Sequence, residues 1–265
     1  MTWVLDCDGV IWLADEPIPG AATAVRRLRE AGERVAFLTN NSWHRVAEQV
    51  DKLRRMSIEA EAEDVVSSSM AAASLVEEGE RVLLVGGPGV REELERRGAT
   101  VLDPGEGELE AVTAVVVGMD LGFSFQRLAA ATTVLRSGTA RLVATNDDAT
   151  FPTAQGLLPG AGSVVAAVAT AGGVEPVVAG KPHEAVARIV RERFGPVSMM
   201  VGDRPSTDGR FARLLEVPFG LVLTGVTPHG HGPLDPAPDV EAPDLLSLVE
   251  HVLADPGPPA EATAG

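Results

Sequence analysis

Short β-branched runs alternate with longer amphipathic stretches along almost the whole chain, and that alternation leaves few folds open. Strand-like runs are expected at residues 3–6, 35–39, 82–85, 114–118, 142–145, 176–179, 198–202 and 219–223. Helical patterns are expected between them, at residues 21–31, 45–55, 68–78, 90–97, 124–136, 163–171, 183–194 and 207–215. In the stretch 183–194, Val186, Ile189, Val190 and Phe194 recur at helical spacing, with Arg188, Arg191 and Glu192 on the opposite side. The expected fold class is therefore α/β, with parallel sheet covered by helices. In such sheets ligands bind beyond the carboxyl ends of the strands.

Four strand ends carry chemistry. The first reads Asp6-Cys7-Asp8-Gly9. Two carboxylates two residues apart can face one site, and burying both is costly unless a cation or a proton joins them. A surface turn is the competing reading of this motif alone. The second, Thr39-Asn40-Asn41-Ser42, offers a hydroxyl and backbone N–H groups to an anion, or a helix cap through Asn41 or Ser42. The third is Gly180-Lys181-Pro182; very few of the 22 basic residues are lysines, which favours a special role for Lys181 over a solvated one. The fourth is Gly202-Asp203-Arg204-Pro205-Ser206-Thr207-Asp208. There Asp203 is placed to ligate a metal, and Asp208 to support it or to orient Lys181. Capping by Thr207 or Asp208 is the alternative.

Bulk properties narrow the partners. The net charge of −16 argues against a nucleic-acid polymer or an anionic membrane, both of which reward basic patches. One cysteine, Cys7, permits no internal disulfide. No signal peptide and no apolar run long enough for a transmembrane helix is evident, so a cytoplasmic location is expected. The Pro-, Ala- and Gly-rich stretch 255–265 is expected to be a disordered tail.

Taken in order, these four motifs resemble those of haloacid dehalogenase-like hydrolases. Phe37 to Ser42, Thr145-Asn146-Asp147-Asp148, Pro159-Gly160-Ala161-Gly162, Gly180-Lys181-Pro182 and Leu223 to Thr227 resemble more narrowly the class IIA branch of NagD-like and 4-nitrophenylphosphatase-like phosphatases. The resemblance covers nearly the whole chain except the tail. It implies a Rossmann-like core at residues 1–66 and 176–254, with an α/β cap at 67–175 inserted between the second and third motifs. It further implies a phosphatase working through an aspartyl phosphate, with Asp6 as nucleophile and Asp8 as acid and base. Thr39 and Lys181 would hold and neutralise the phosphoryl group. Mg²⁺ would be bound by Asp6, the Asp8 carbonyl and Asp203, with Asp208 behind them. Asn40, Asn41, Asn146, Asp147 and Phe151 are the expected substrate contacts, and the cap could supply a homodimer contact. The substrate would be a small phosphomonoester of glycerol 3-phosphate, phosphoglycolate, nucleoside monophosphate or sugar phosphate type.

Two departures stand out. Phe151 occupies the place where pyridoxal phosphatases of the branch carry a histidine, which disfavours that substrate; Gly209-Arg210 replace the usual aliphatic residue after Asp208. Other readings are a phosphotransferase or phosphomutase of the same superfamily, a receiver-type signalling module, and a non-catalytic phosphometabolite-binding module. A mutase usually carries a helical cap after the first motif, where this chain has only residues 10–35. Receivers are about half this length and lack the Asp-x-Asp pair, and a dehalogenase would lack Asp8. Cys7 should point into the core by strand alternation. Trp43 reads as helix packing before substrate platform, His229 and His231 as surface residues, and Gly86-Gly87-Pro88-Gly89 as a cap turn.

Overall fold

The computed structural model describes residues 1–105, 109–153 and 156–254; the expected tail lies outside them. Two parallel sheets organise the chain. The six-stranded one runs, in spatial order, Val240–Ala242, Phe219–Val222, Val197–Gly202, Thr2–Asp6, Arg34–Thr39 and Val65–Ser67. The five-stranded one runs Val177–Val178, Arg141–Ala144, Ala114–Val117, Arg81–Val85 and Thr100–Leu102. A hairpin, Thr150–Thr153 with Gly156–Pro159, projects from the second unit.

Strands buried on both faces divide their side chains between two cores. Trp3 and Leu5 enter one cluster with the helices Ala21–Glu30, Val46–Arg55 and Leu245–Ala254, and Cys7 joins it as alternation requires. Val4, Ala36, Leu38 and Met200 point the other way, into a cluster shared with Val82, Leu84, Ala114 and Val116 of the second sheet. Leu83, Val85, Val115 and Val117 face a third cluster under helices Phe125–Arg136 and Ala161–Gly172.

One expectation needs correction. The run expected to open the return to the core at 176 instead closes the second sheet: Val177 pairs with Val143 and Val178 with Ala144. Backbone bonds from Ala179 to Ala144 and from Gly180 to Thr145 continue that edge to the residue before Lys181. The Arg141–Ala144 strand needs a partner for its second edge, and this β-branched segment supplies it. Helix Ser68–Ala73, expected as the start of the insert, packs against both Pro88–Arg96 and Glu184–Phe194, and so bridges the two units.

One ion pair at the base of the second sheet gives a testable pH dependence. The Glu80 carboxylate accepts from Arg141 Nη2 at 2.8 Å and from Arg141 Nη1, from Thr113 Oγ1 at 2.8 Å, and from the Glu77 N–H at 2.9 Å. The Arg141 hydrogen bonds, with help from Glu77 and Thr113, hold its pKa down at about 2 against the ordinary 4.5. Stability from a depressed carboxylate is present above the unfolded value and is lost as pH falls toward the folded one. Glu80→Gln should therefore lower stability by about 1 kcal/mol at neutral pH, discounted for the half-exposed arginine. Urea melts of both proteins should converge as pH falls from 4.5 toward 2. A gap that stays constant over that range would contradict the pairing.

Candidate active site

The strand Thr2–Asp6 lies between Arg34–Thr39 and Val197–Gly202, so three adjacent carboxyl ends converge. Asp6 is in register with Leu38, which puts Thr39 one step beyond it. Leu5 pairs with Val201, which brings Asp203 to the other side. Lys181 arrives from the edge of the second sheet, buried to 1% exposure. Its Nζ lies 2.7 Å from Asp6 Oδ1 and 2.7 Å from Asp208 Oδ1.

The electrostatics are lopsided. Carboxyl oxygens of Asp6, Asp203 and Asp208 lie within 4.8 Å of one another, with Lys181 as their ammonium partner. Burial pushes the Asp6 carboxyl well above its ordinary value; Lys181 pulls it back, and Asp208, Asp203 and Asp8 push it further. Burial likewise lifts Asp203 to about 7, with Asp208 adding to the effect. Burial alone would lower Lys181, but the two carboxylates outweigh it and hold the ammonium above the usual lysine range. One lysine does not balance these acids. Their all-oxygen donor set suits a hard cation, whose charge would offset the remaining acids.

Each acid is held in place. Asp6 Oδ1 also accepts from the Cys7 N–H at 2.8 Å. Asp8 Oδ1 accepts from the indole of buried Trp12 at 2.9 Å, and burial raises the Asp8 pKa while that hydrogen bond lowers it. Asp203 Oδ2 accepts from the Val226 N–H, and its carbonyl accepts from Thr227 Oγ1 at 2.6 Å, so the 223–227 loop fixes it. Asp208 Oδ2 accepts from the N–H groups of Asp203 at 3.2 Å and Arg204 at 3.1 Å. Gly9 has φ +81, and a Cβ there would lie 2.5 Å from Asp203 Oδ2, so both turn and space exclude a side chain. A Cβ at Gly202 would overlap Asp208 Cγ at 2.2 Å.

The expected substrate contacts divide. Phe151 and Asn146 line a cavity of about 300 Å³ above Asp6, together with Asn40 and Asn41. The Asn40 amide, however, is spent on the protein: Nδ2 donates to Asp148 Oδ2 at 2.8 Å and the Lys181 carbonyl at 3.1 Å, and Oδ1 accepts from the Lys181 N–H at 2.9 Å. Asn41 Oδ1 accepts from the N–H groups of Trp43 and His44, which makes it a turn former. Asn146 Nδ2 donates to the Asn40 carbonyl at 2.8 Å. Asp147 is exposed, does not line the cavity, and faces His183 at 3.4 Å. Thr39 is fully buried, and its Oγ1 accepts from the Asn41 N–H at 3.0 Å.

Two lining residues do something other than the sequence suggested. Asp148 enters where Asp147 was expected, bound to Arg204 Nη1 at 3.1 Å as well as to Asn40. Two adjacent acids on a loop carry no signal for which one turns inward. Ser42, read as a helix cap, instead accepts from the Met119 N–H at 3.0 Å and ties the two units together. The helix Val46–Arg55 is capped by Glu48, whose carboxylate accepts from the Arg45 N–H at 2.8 Å. His231, expected at the surface, is partly buried against Glu241 at 3.0 Å. Among the described residues, no helix is long and apolar enough to cross a membrane.

The chain is similar to known proteins over most of its length. Residues 3–100 match a family model described as haloacid dehalogenase-like hydrolase, and residues 178–248 match a second, HAD-hydrolase-like model. Chronophin from Mus musculus is 37% identical over 238 residues, covering 84% of this chain and 81% of its own. The p-nitrophenyl phosphatase from Archaeoglobus fulgidus superimposes with a TM-score of 0.85 at 29% identity, over 94% of this chain and 98% of that one. A structure of the glycerol phosphate phosphatase from Mycobacterium tuberculosis in complex with magnesium gives 0.83 at 33% identity, over 94% and 77% of the two chains. This chain belongs to the haloacid dehalogenase-like hydrolases, in the class IIA branch of phosphatases that its strand-end motifs resemble.

Proposed function

We propose that the chain is a Mg²⁺-dependent phosphatase that passes the phosphoryl group of a small phosphomonoester first to Asp6 and then to water. The observation that carries the reading is Lys181 Nζ bridging Asp6 and Asp208, each at 2.7 Å, at the floor of the cavity. With Oδ1 of Asp6 held by Lys181 and the Cys7 N–H, Oδ2 is the attacking atom. A bond forms from Oδ2 to phosphorus as the ester P–O bond breaks, and the leaving alkoxide takes its proton from Asp8. Trp12 fixes the orientation of the Asp8 carboxyl for this transfer. Asp8, now ionised, takes a proton from water; the water oxygen bonds phosphorus, the P–Oδ2 bond breaks, and phosphate leaves.

Thr39 Oγ1 accepts from the Asn41 N–H, which leaves its hydroxyl proton to donate to the phosphoryl oxygens, and Lys181 neutralises their charge. Asn40 acts by clamping both backbone groups of Lys181. Asp208 holds the Lys181 ammonium and the Asp203 N–H. Asp6, the Asp8 carbonyl and Asp203 are the residues that would hold Mg²⁺, which supplies charge neutralisation for the reacting phosphate. The magnesium in the M. tuberculosis relative supports that choice. Substrates of glycerol 3-phosphate, phosphoglycolate, nucleoside monophosphate or sugar phosphate type all fit the reaction.

Hydrolysis of 4-nitrophenyl phosphate tests the reading. It should need Mg²⁺, cease in EDTA and return on adding excess Mg²⁺. Millimolar Mg²⁺ should also raise the Tm of the EDTA-treated protein by several degrees, on the order of 2 kcal/mol of linked stability. Full activity in EDTA would exclude the proposed metal dependence.

A further inference from the structure

Away from Asp6 the cavity changes character. Its walls are Trp43 from the core side and Met119, Leu121 and Phe151 from the loops of the second sheet. Trp43 is fixed before any ligand arrives. A Cβ at Gly87 would lie 2.4 Å from Trp43 Cε3, so the indole is packed against bare backbone, and the Trp43 N–H is held by Asn41. Leu121 is 70% exposed at the mouth. Apolar surface left open beside a polar floor marks a place for an apolar part of a ligand.

The positive charges in the cavity are already engaged. Lys181 serves Asp6 and Asp208, Arg204 lies 3.1 Å from Asp148, and His44 is 3.6 Å from Glu48. No Lys, Arg or His of residues 81–178 lines the cavity among the described residues. The undescribed stretches there, Glu106-Gly107-Glu108 and Ala154-Gln155, contain none in their sequence. Arg127, which follows the Met119–Leu121 loop, is held by buried Asp120 at 3.0 Å. A substrate's second anionic group would meet apolar walls and the Asp148 carboxylate, and the cations that line the cavity are already paired with acids of the protein.

We infer that the cavity selects an uncharged leaving group bearing a flat ring, placed between Trp43 and the Met119, Leu121 and Phe151 wall, and rejects a leaving group with its own carboxylate. This rests on the phosphatase reading and narrows its substrate class. Among primary alkyl phosphates, a nucleoside monophosphate fits these demands and phosphoglycolate violates them.

The test compares kcat/KM for uridine 5′-monophosphate, glycerol 3-phosphate and phosphoglycolate with the Mg²⁺-loaded full chain, and 4-nitrophenyl phosphate as the control for the phosphatase reading itself. Uridine 5′-monophosphate should exceed phosphoglycolate by at least about tenfold. Trp43→Ala should lower kcat/KM for uridine 5′-monophosphate by about tenfold, chiefly through KM, and change glycerol 3-phosphate less. Leu121→Arg, at an exposed position that tolerates charge, should raise phosphoglycolate relative to uridine 5′-monophosphate by about tenfold. Wild-type kcat/KM for phosphoglycolate equal to or above that for uridine 5′-monophosphate, with 4-nitrophenyl phosphate hydrolysed, overturns the inference and leaves the phosphatase reading standing. Failure on all four substrates overturns both.

Discussion

Asp6→Asn should fold, retain its melting temperature or exceed it, and hydrolyse 4-nitrophenyl phosphate at least about 10³-fold more slowly than the wild type. The substitution is nearly isosteric. An amide oxygen can still accept from Lys181 and from the Cys7 N–H, so the local hydrogen bonds survive. What is lost is the anionic oxygen that attacks phosphorus. What is gained is relief from crowding, because burial and the neighbouring Asp208, Asp203 and Asp8 all oppose a charge at Asp6. Steady-state kinetics and thermal melts on one preparation separate the two effects. Activity within tenfold of the wild type would show that Asp6 is not the nucleophile; loss of fold together with activity would show that its charge is structural.

Lys181→Met should lose both stability and activity. The lysine is buried in the core, and it sits 2.7 Å from two carboxylates that keep it charged. A methionine of similar length leaves those carboxylates facing one another without an ammonium. Removing one partner of a buried pair costs about 3–5 kcal/mol, visible as a lower urea midpoint. Activity should fall by about 10²–10³-fold through loss of charge neutralisation at the phosphoryl group. Mg²⁺ should recover part of the stability and not the activity, since the metal balances the carboxylates from another side. A variant as stable as the wild type would mean that the cluster is not charged as described.

The chemistry at the strand ends was legible in the sequence because it depends on short local motifs. An apolar run followed by Asp-x-Asp-Gly, or by Gly-Asp, names both the strand and the acids at its end, and the parallel sheet then brings those ends together. The short edge strands were not legible. Val65–Ser67 and Val240–Ala242 have three residues each, too few for a period, and Leu245–Ala254 is apolar at most positions, so its buried face does not stand out. The residues at 176–179 read correctly as strand-like but sit in the other sheet, since local pattern does not say which edge a strand will join. Side-chain direction on loops was equally hidden. Nothing in Asn146-Asp147-Asp148 indicates that Asp148 turns toward Asn40 and Arg204 while Asp147 faces His183. The structure also shows what Asn40 does for Lys181, a contact across 141 residues of chain.

The central claim is a phosphoryl group carried on Asp6. Mg²⁺-loaded protein mixed with substrate, quenched in acid within the first turnover and reduced with borohydride tests it, because an acyl phosphate is reduced and a free carboxylate is not. Peptide mass spectrometry should find homoserine in place of aspartate at position 6, dependent on substrate and absent from the Asp6→Asn protein. Substrate turnover with no modified residue, or with the modification at Asp8 or Asp203, would contradict the account.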